Sequence, residues 1–431
     1  MSIKITKPRG TADVLPNEAA RWRVLEQTVT NIALNHGFGE LRMPTFEHTE
    51  LFSRGVGDTT DIVTKEMYTF EDKGGRSITL RPEGTASAVR ACIENGLFAG
   101  VMPLKLFYIA PMFRYEKPQS GRLREHHQFG AECFGTAGPD GDLEIISLAN
   151  AYLSSVFPIH ARNTIELHIN SIGCSDCRAV YREKLLEYLK DKPVCKLCTE
   201  RAERNPLRVL DCKDDNCRDI VKNAPSMVDV LCDTCTVHYK EVLGGLDRLG
   251  IRYVQDNLLV RGLDYYNGVV FEFIYNGLTI LGGGRYDTLV EQLGGNPIPA
   301  CGFGSGLERI LAVLSEAGAD STEKSPNLIY IAVADTPKSP AAVTARALTA
   351  VLRLTGQVER DITGRSLKAQ LKHADKLGAR FLIVIGEDEV KTGQIAIKDM
   401  TNGEKFECAL DSSKITEVIS CRGAQYAPAG D

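Results

Sequence analysis

Apolar residues recur every three or four positions over 18–35, with Trp22, Leu25, Val29 and Ile32 on one face. That spacing predicts a helix, with Asn17 placed to cap it and Gly37 to stop it. Strand-like runs at 67–70 and 77–80 flank Asp72-Lys73-Gly74-Gly75, the pattern of a hairpin. A helix is predicted over 83–95, ending at Asn95-Gly96. Residues 105–115 and 127–134 read as strands joined by a polar segment, 116–125, as in an antiparallel sheet. Another helical pattern covers 140–156. In 164–170, Ile165, Leu167 and Ile169 alternate with Glu166, His168 and Asn170, a half-buried strand.

The pattern changes over 171–258, which is charged, helix-prone and punctuated by cysteine pairs, as in an inserted module. Strand character returns at 269–275 and 278–281. Gly282-Gly283-Gly284 then precedes a predicted helix over 286–293, and 301–304 leads into a helix carrying Leu307, Glu308, Arg309 and Leu311. Residues 317–327 read as a linker. Beyond it, strands at 328–333, 381–385 and 395–398 alternate with helices at 339–354 and 366–377, a small α/β unit with parallel character. The expected fold class is α+β: an antiparallel sheet flanked by helices over 1–170 and 259–320, a helical cysteine-rich insertion over 171–258, and an α/β domain over 327–422.

Composition narrows the options. The chain has 431 residues and a formal net charge of −5, which argues against a DNA-coating protein. No apolar run approaches the ~18 residues of a membrane span, and the N-terminus shows no secretory leader, so a cytoplasmic protein without a membrane partner is expected. Of 13 cysteines, eight form four pairs: Cys174/Cys177, Cys195/Cys198, Cys212/Cys217 and Cys232/Cys235. A reducing compartment disfavours disulfides. Three C-x₂-C pairs and one C-x₄-C pair follow the logic of structural zinc, four sulfurs to an ion. Reduced, unliganded cysteines are the alternative, and spacing alone does not say which pairs combine.

Five clusters carry candidate chemistry. Glu83 and Thr85, in Arg81-Pro82-Glu83-Gly84-Thr85, can receive an ammonium group, but both are also ordinary residues for a helix start. Residues 113–128 hold Arg114, Lys117, Arg122 and Arg124 against Glu116 and Glu125, a local charge of +2. An Arg on a strand beside a basic loop suits phosphate; a solvated hairpin tip is the alternative. Arg261-Gly262-Leu263-Asp264-Tyr265-Tyr266 sets a cation beside two phenols. The triple glycine, before Arg285-Tyr286-Asp287, lets a ligand approach the backbone. Gly302–Gly306 feeds a helix from which Arg309 can stack on a base or reach a phosphate. Separately, Lys368, Lys372 and Lys376 are spaced i, i+4, i+8, and residues 365–380 carry five basic residues and one acidic one, a local +4.

In this order the clusters resemble a histidyl-tRNA synthetase, a class II aminoacyl-tRNA synthetase. The resemblance runs over nearly the whole chain. It rests on RGTADVLP at 9–16, Arg42-Met43-Pro44, TLRPEGTA at 79–86, the segment 113–132, RGLDYYNG at 261–268, GGRYD at 283–287 and the segment ending at Arg309. It implies a histidine–tRNA ligase that uses ATP and Mg²⁺, acts on L-histidine and tRNA(His), and forms a homodimer. It places the amino acid on Glu83, Gly84, Thr85, Gln128, Glu132, Tyr265 and Tyr266. Glu132 and Tyr266 would read the imidazole. It places ATP on Arg114, Glu116, Arg261 and Arg309, with Arg114 and Arg261 catalytic. Lys117, Arg122, Arg124, Lys368, Lys372 and Lys376 are the expected tRNA contacts. A non-catalytic relative, the regulatory subunit of an ATP phosphoribosyltransferase, shares this core and is the competing reading.

Overall fold

A computed structural model of the chain describes residues 5–57, 60–118, 121–318 and 327–423, with side chains to 421 in the last segment. Backbone packing divides it into two units, 1–321 and 322–431. The 317–327 linker lies mostly outside the described residues, as does part of the 116–125 segment.

The first unit is built on an eight-stranded sheet. Its order is Gly39–Glu40, Leu104–Phe113, Glu125–Phe134, Ala300–Gly306, Leu278–Arg285, Asn267–Tyr275, Ile165–Ser171 and Val254–Gln255. The six long strands are antiparallel, and a short strand pairs parallel at each edge. Helices Pro16–Asn35, Pro139–Val156 and Leu307–Glu316 contribute to one continuous core with the sheet, including Val29, Phe129, Tyr152, Phe271, Phe303 and Ile310. The hairpin forms as expected: Tyr68–Glu71 pairs with Ser77–Leu80, and Phe46–His48 adds a third strand.

Two local expectations need correction. The first helix begins at Pro16 with Leu15 at the cap position, so Asn17 lies inside it. Proline's fixed φ suits the first helical position, where no N–H is needed. The triple glycine lies in the strand Leu278–Arg285. The helix expected at 286–293 is only Leu289–Gln292. Tyr286 N donates to Ala300 O and Asp287 N to Asn267 Oδ1 (2.7 and 3.1 Å), so sheet bonding continues past the strand and delays coiling.

The 171–258 segment leaves the strand Ile165–Ser171 and returns beside it at Val254–Gln255. It holds helices Ser175–Leu189, Lys196–Arg204, Asp215–Val221 and Asp233–Arg248. The first three surround their own small core of Cys177, Tyr181, Leu185, Cys198, Val209 and Cys217. The last helix packs elsewhere: Tyr239, Val242 and Leu246 join the core of the sheet.

The second unit has a five-stranded sheet, ordered Val358–Arg360, Ile329–Val333, Phe381–Ile385, Gln394–Asp399 and Lys405–Ala409. The first three are parallel and the last two antiparallel. Helix Leu367–Leu377 is tied to the sheet through buried Gln370, whose Oε1 accepts from Val333 N (2.9 Å) and whose Nε2 donates to Val333 O (3.1 Å). Gln370 and Ala374 face inward, so Lys368, Lys372 and Lys376 stand exposed on the other side.

Candidate active site

One cavity of about 430 Å³ opens on the first unit. Glu83, Thr85, Arg114, Glu116, Arg122, Gln128, Arg261, Tyr265, Tyr266 and Arg309 all line it. Gln128 comes from the sheet itself, while Glu83 and Thr85 at a helix start, Arg114, Glu116 and Arg122 between two strands, Arg261, Tyr265 and Tyr266 ahead of the strand Asn267–Tyr275, and Arg309 on the helix Leu307–Glu316 converge over it.

The glycines create the space. A side chain at Gly282 would collide with the Arg261 guanidinium, one at Gly302 with Glu132, and one at Gly304 with Gln128. Gly84 and Gly130 both lie against the Tyr108 ring. Gly84 thus makes room for a protein ring and does not line the cavity.

Glu83 is both helix cap and cavity wall. Its carboxylate accepts from Thr85 N (2.9 Å) and Ala86 N (2.8 Å), at the start of helix Thr85–Glu94. Burial pushes its carboxyl above the ordinary range, against those two N–H donors. Tyr265 donates weakly to it (3.4 Å).

Glu132 sits beneath the cavity, 0% exposed. Thr85 Oγ1 donates to it at 2.8 Å and Tyr108 at 3.1 Å, and the Tyr286 hydroxyl donates to its other oxygen. Burial raises this carboxyl to about 8, although the hydroxyls favour the anion. Tyr286 packs edge-on against Tyr265 and Tyr266, and the three ring centroids lie 4.7 to 6.3 Å from one another.

Four arginines define the polar end of the cavity. Arg114 Nε donates to Pro82 O (2.7 Å), leaving its terminal nitrogens directed at Glu116, 4.0 Å away. Arg122 pairs with Glu116 at 3.1 Å. Arg261 pairs with Glu272 and lies over the Tyr266 ring, 5.8 Å from its centroid. Its buried Nε has no hydrogen-bond partner among the described residues. Arg309 donates to Thr279 O, and burial and the nearby Arg122 lower its pKa. Burial, then Arg114 and Arg309, push His126 down to about 3, so its imidazole is neutral.

Of the expected tRNA contacts, Lys117 is exposed. Arg124 is committed within the protein: its guanidinium stacks on Tyr115 (3.7 Å) and its Nε donates to Glu116 O (3.2 Å). Arg285 is also structural, nearly buried and paired with Asp142 at 2.6 Å. The sequence reading missed Tyr108, Glu272, Asp211 and Lys213. The last two line the cavity from the insertion.

The cysteines assemble into two groups of four: Cys174, Cys177, Cys232 and Cys235; and Cys195, Cys198, Cys212 and Cys217. Within each group all sulfurs lie within 4.8 Å of one another. The Cys174–Cys177 and Cys195–Cys212 sulfurs are 3.5 and 3.9 Å apart, too far for disulfides. Tetrahedral coordination at ~2.3 Å per sulfur would set them ~3.8 Å apart. Backbone N–H groups also aim across the pairs, Cys195 N at Cys217 Sγ and Cys232 N at Cys177 Sγ, both at 3.1 Å.

The antiparallel sheet, its glycine-lined cavity and the arginines around it define a class II aminoacyl-tRNA synthetase. The histidyl-tRNA synthetase family matches residues 10–310 and the anticodon binding domain matches 329–420. The chain is 49% identical over 421 residues to the histidine–tRNA ligase of Clostridium perfringens (strain SM101 / Type A), covering 97% of this chain and 100% of the relative. It is 48% identical over 413 residues to that of Acetivibrio thermocellus, covering 94% and 97%. The crystal structure of apo S. aureus histidyl-tRNA synthetase matches at TM-score 0.79 and 35% identity, covering 97% of this chain and 100% of that one. An ATP phosphoribosyltransferase regulatory subunit/histidyl-tRNA synthetase of Bacillus halodurans C, 20% identical at TM-score 0.63 over 90% and 99%, shares the fold. The chain belongs to the histidyl-tRNA synthetase family.

Proposed function

We propose that this cavity activates L-histidine with ATP and passes it to the 3′ end of tRNA(His), the reaction of a histidine–tRNA ligase. The observation that carries the reading is one cavity lined by Glu83, Thr85, Gln128, Tyr265 and Tyr266 together with Arg114, Arg261 and Arg309. Glu83, Thr85 and Gln128 receive the ammonium group. Tyr266 meets the imidazole, with Glu132 behind it acting through the phenols and Thr85. A side chain lacking ring nitrogens would leave these buried groups unpaired and be rejected. Arg114, Glu116, Arg261 and Arg309 form the ATP end.

The first step needs no general base, because the amino-acid carboxylate is already an anion when it attacks the α-phosphate. The protein must hold two anions in line and neutralise the developing charge. Arg261 suits that role: Glu272 and the Tyr266 ring fix its plane while its unpartnered Nε stays buried. Mg²⁺ would supply charge neutralisation on the phosphates, and Glu116 and Glu272 offer the oxygen donors it takes.

The exposed lysines of Leu367–Leu377, with Lys117 and Arg122, contact tRNA phosphates in a cytoplasmic homodimer. Among the described residues no helix is long and apolar enough to cross a membrane. The cysteine groups each hold one structural zinc ion. Histidine-dependent ATP–pyrophosphate exchange, followed by aminoacylation of tRNA(His), tests the assignment. Exchange driven by another amino acid, or none at all as for a regulatory paralogue, would overturn it.

A further inference from the structure

Besides its last helix, which packs on the sheet, and Arg201, which pairs with Asp61, the insertion meets the catalytic unit along one segment, 261–266, which carries Arg261, Tyr265 and Tyr266. Arg178, in the helix that follows Cys174, donates to Tyr266 O (3.2 Å). Asn205, closing the helix that follows Cys195, donates to the Asp264 carboxylate (3.0 Å). Arg208 donates to Arg261 O (3.3 Å). Gly173, beside Cys174, accepts from Gly268 N (3.0 Å). Asp211 and Lys213, on either side of Cys212, line the cavity.

These contacts share an origin. Arg178 is one residue from Cys177, and Asn205 and Arg208 lie between Cys198 and Cys212. The module's core is small, and four of its eleven buried members are cysteines, Cys177, Cys198, Cys212 and Cys217. An ion in each group would cross-link the backbone on either side of Arg178, Asn205 and Arg208 and so fix where they point.

We propose that the insertion is a metal-locked clamp on residues 261–266, so that zinc occupancy sets the rate of adenylate formation as well as the fold of the module. Arg178 and Arg208 are positioning residues: they hold backbone carbonyls on either end of the segment and touch no substrate. The inference rests on the zinc and active-site assignments above.

The test uses the full chain. Zinc per chain is measured first. Zinc is then stripped with a chelator and restored, while hydrogen exchange at 261–266 and histidine-dependent pyrophosphate exchange are followed. Stripping should raise hydrogen exchange in that segment at least tenfold and lower the pyrophosphate-exchange rate at least tenfold, both reversed by Zn²⁺. The double variant Arg178→Ala/Arg208→Ala separates the clamp from the ion. It should keep its zinc, lose at least tenfold in kcat for exchange and change KM for ATP less than twofold, with partial rescue by Arg208→Lys. Well under one zinc per chain overturns the metal assignment. Unchanged protection at 261–266 and unchanged exchange in a zinc-loaded double variant overturn the clamp, whatever the active-site roles prove to be.

Discussion

The Glu132 carboxyl makes a prediction about stability that is separate from catalysis. Glu132→Gln keeps the side chain's shape and removes the ionisation; its one oxygen can still accept from Thr85 and Tyr108, while its amide N–H₂ faces the Tyr286 hydroxyl, which then serves as acceptor. In the unfolded chain a glutamate titrates near 4.5; here burial holds it at about 8. Between those values the folded protein retains a proton that the unfolded chain has released. Stability from this site is therefore full below 4.5 and is lost as pH rises through 8. Linkage puts the loss at about 2.5 kcal/mol between pH 5 and pH 7, levelling off above 8. Chemical denaturation at fixed protein concentration can be followed through Trp22, the chain's single tryptophan, which packs on His127 at 5.0 Å in the first unit. The variant should gain about 2.5 kcal/mol on the parent between pH 5 and pH 7, because groups that do not couple to Glu132 cancel in the difference. Parallel pH profiles for the two proteins would refute the reasoning.

Two further outcomes concern the reaction itself. Arg261→Ala should retain histidine binding by calorimetry while pyrophosphate exchange falls by about 10²–10³, the scale of losing one preorganised charge partner; an unchanged exchange rate would remove Arg261 from the mechanism. Replacing Lys368, Lys372 and Lys376 together by alanine should leave exchange intact. It should raise KM for tRNA and reduce the salt dependence of tRNA binding by roughly 0.7–0.9 log units per lost contact, and an unaltered salt slope would place the RNA elsewhere.

Much of this was legible in the sequence because the signals are local. The lysine stripe is helical spacing, and Gln370 and Ala374 do face the sheet as that spacing requires. The four cysteine pairs stand out through short gaps, two residues in three of them and four in Cys212/Cys217. How the pairs combine is not local, and only the fold joins the first pair to the last. Tyr108 shows the same limit. In sequence it is one aromatic residue in a strand. Its hydroxyl reaches Glu132 because the register sets it opposite Gly130, which has no side chain to keep the ring out. Composition does not show that Gly282 serves twice, lining the cavity and leaving room for the Arg261 guanidinium. The last helix of the insertion looked like part of the module. Its apolar face joins the sheet's core, which charge and cysteine content do not reveal.

The two cysteine groups are nested, and nesting imposes an order of assembly. Fourteen positions separate Cys198 from Cys212, while fifty-five separate Cys177 from Cys232. Closing the longer loop costs about 1.2 kcal/mol more chain entropy than closing the shorter one. Once the inner group has closed, it shortens the free path between the outer pairs. The inner knot therefore prepares the outer, and the outer ties both ends of the excursion back to the strand from which it left.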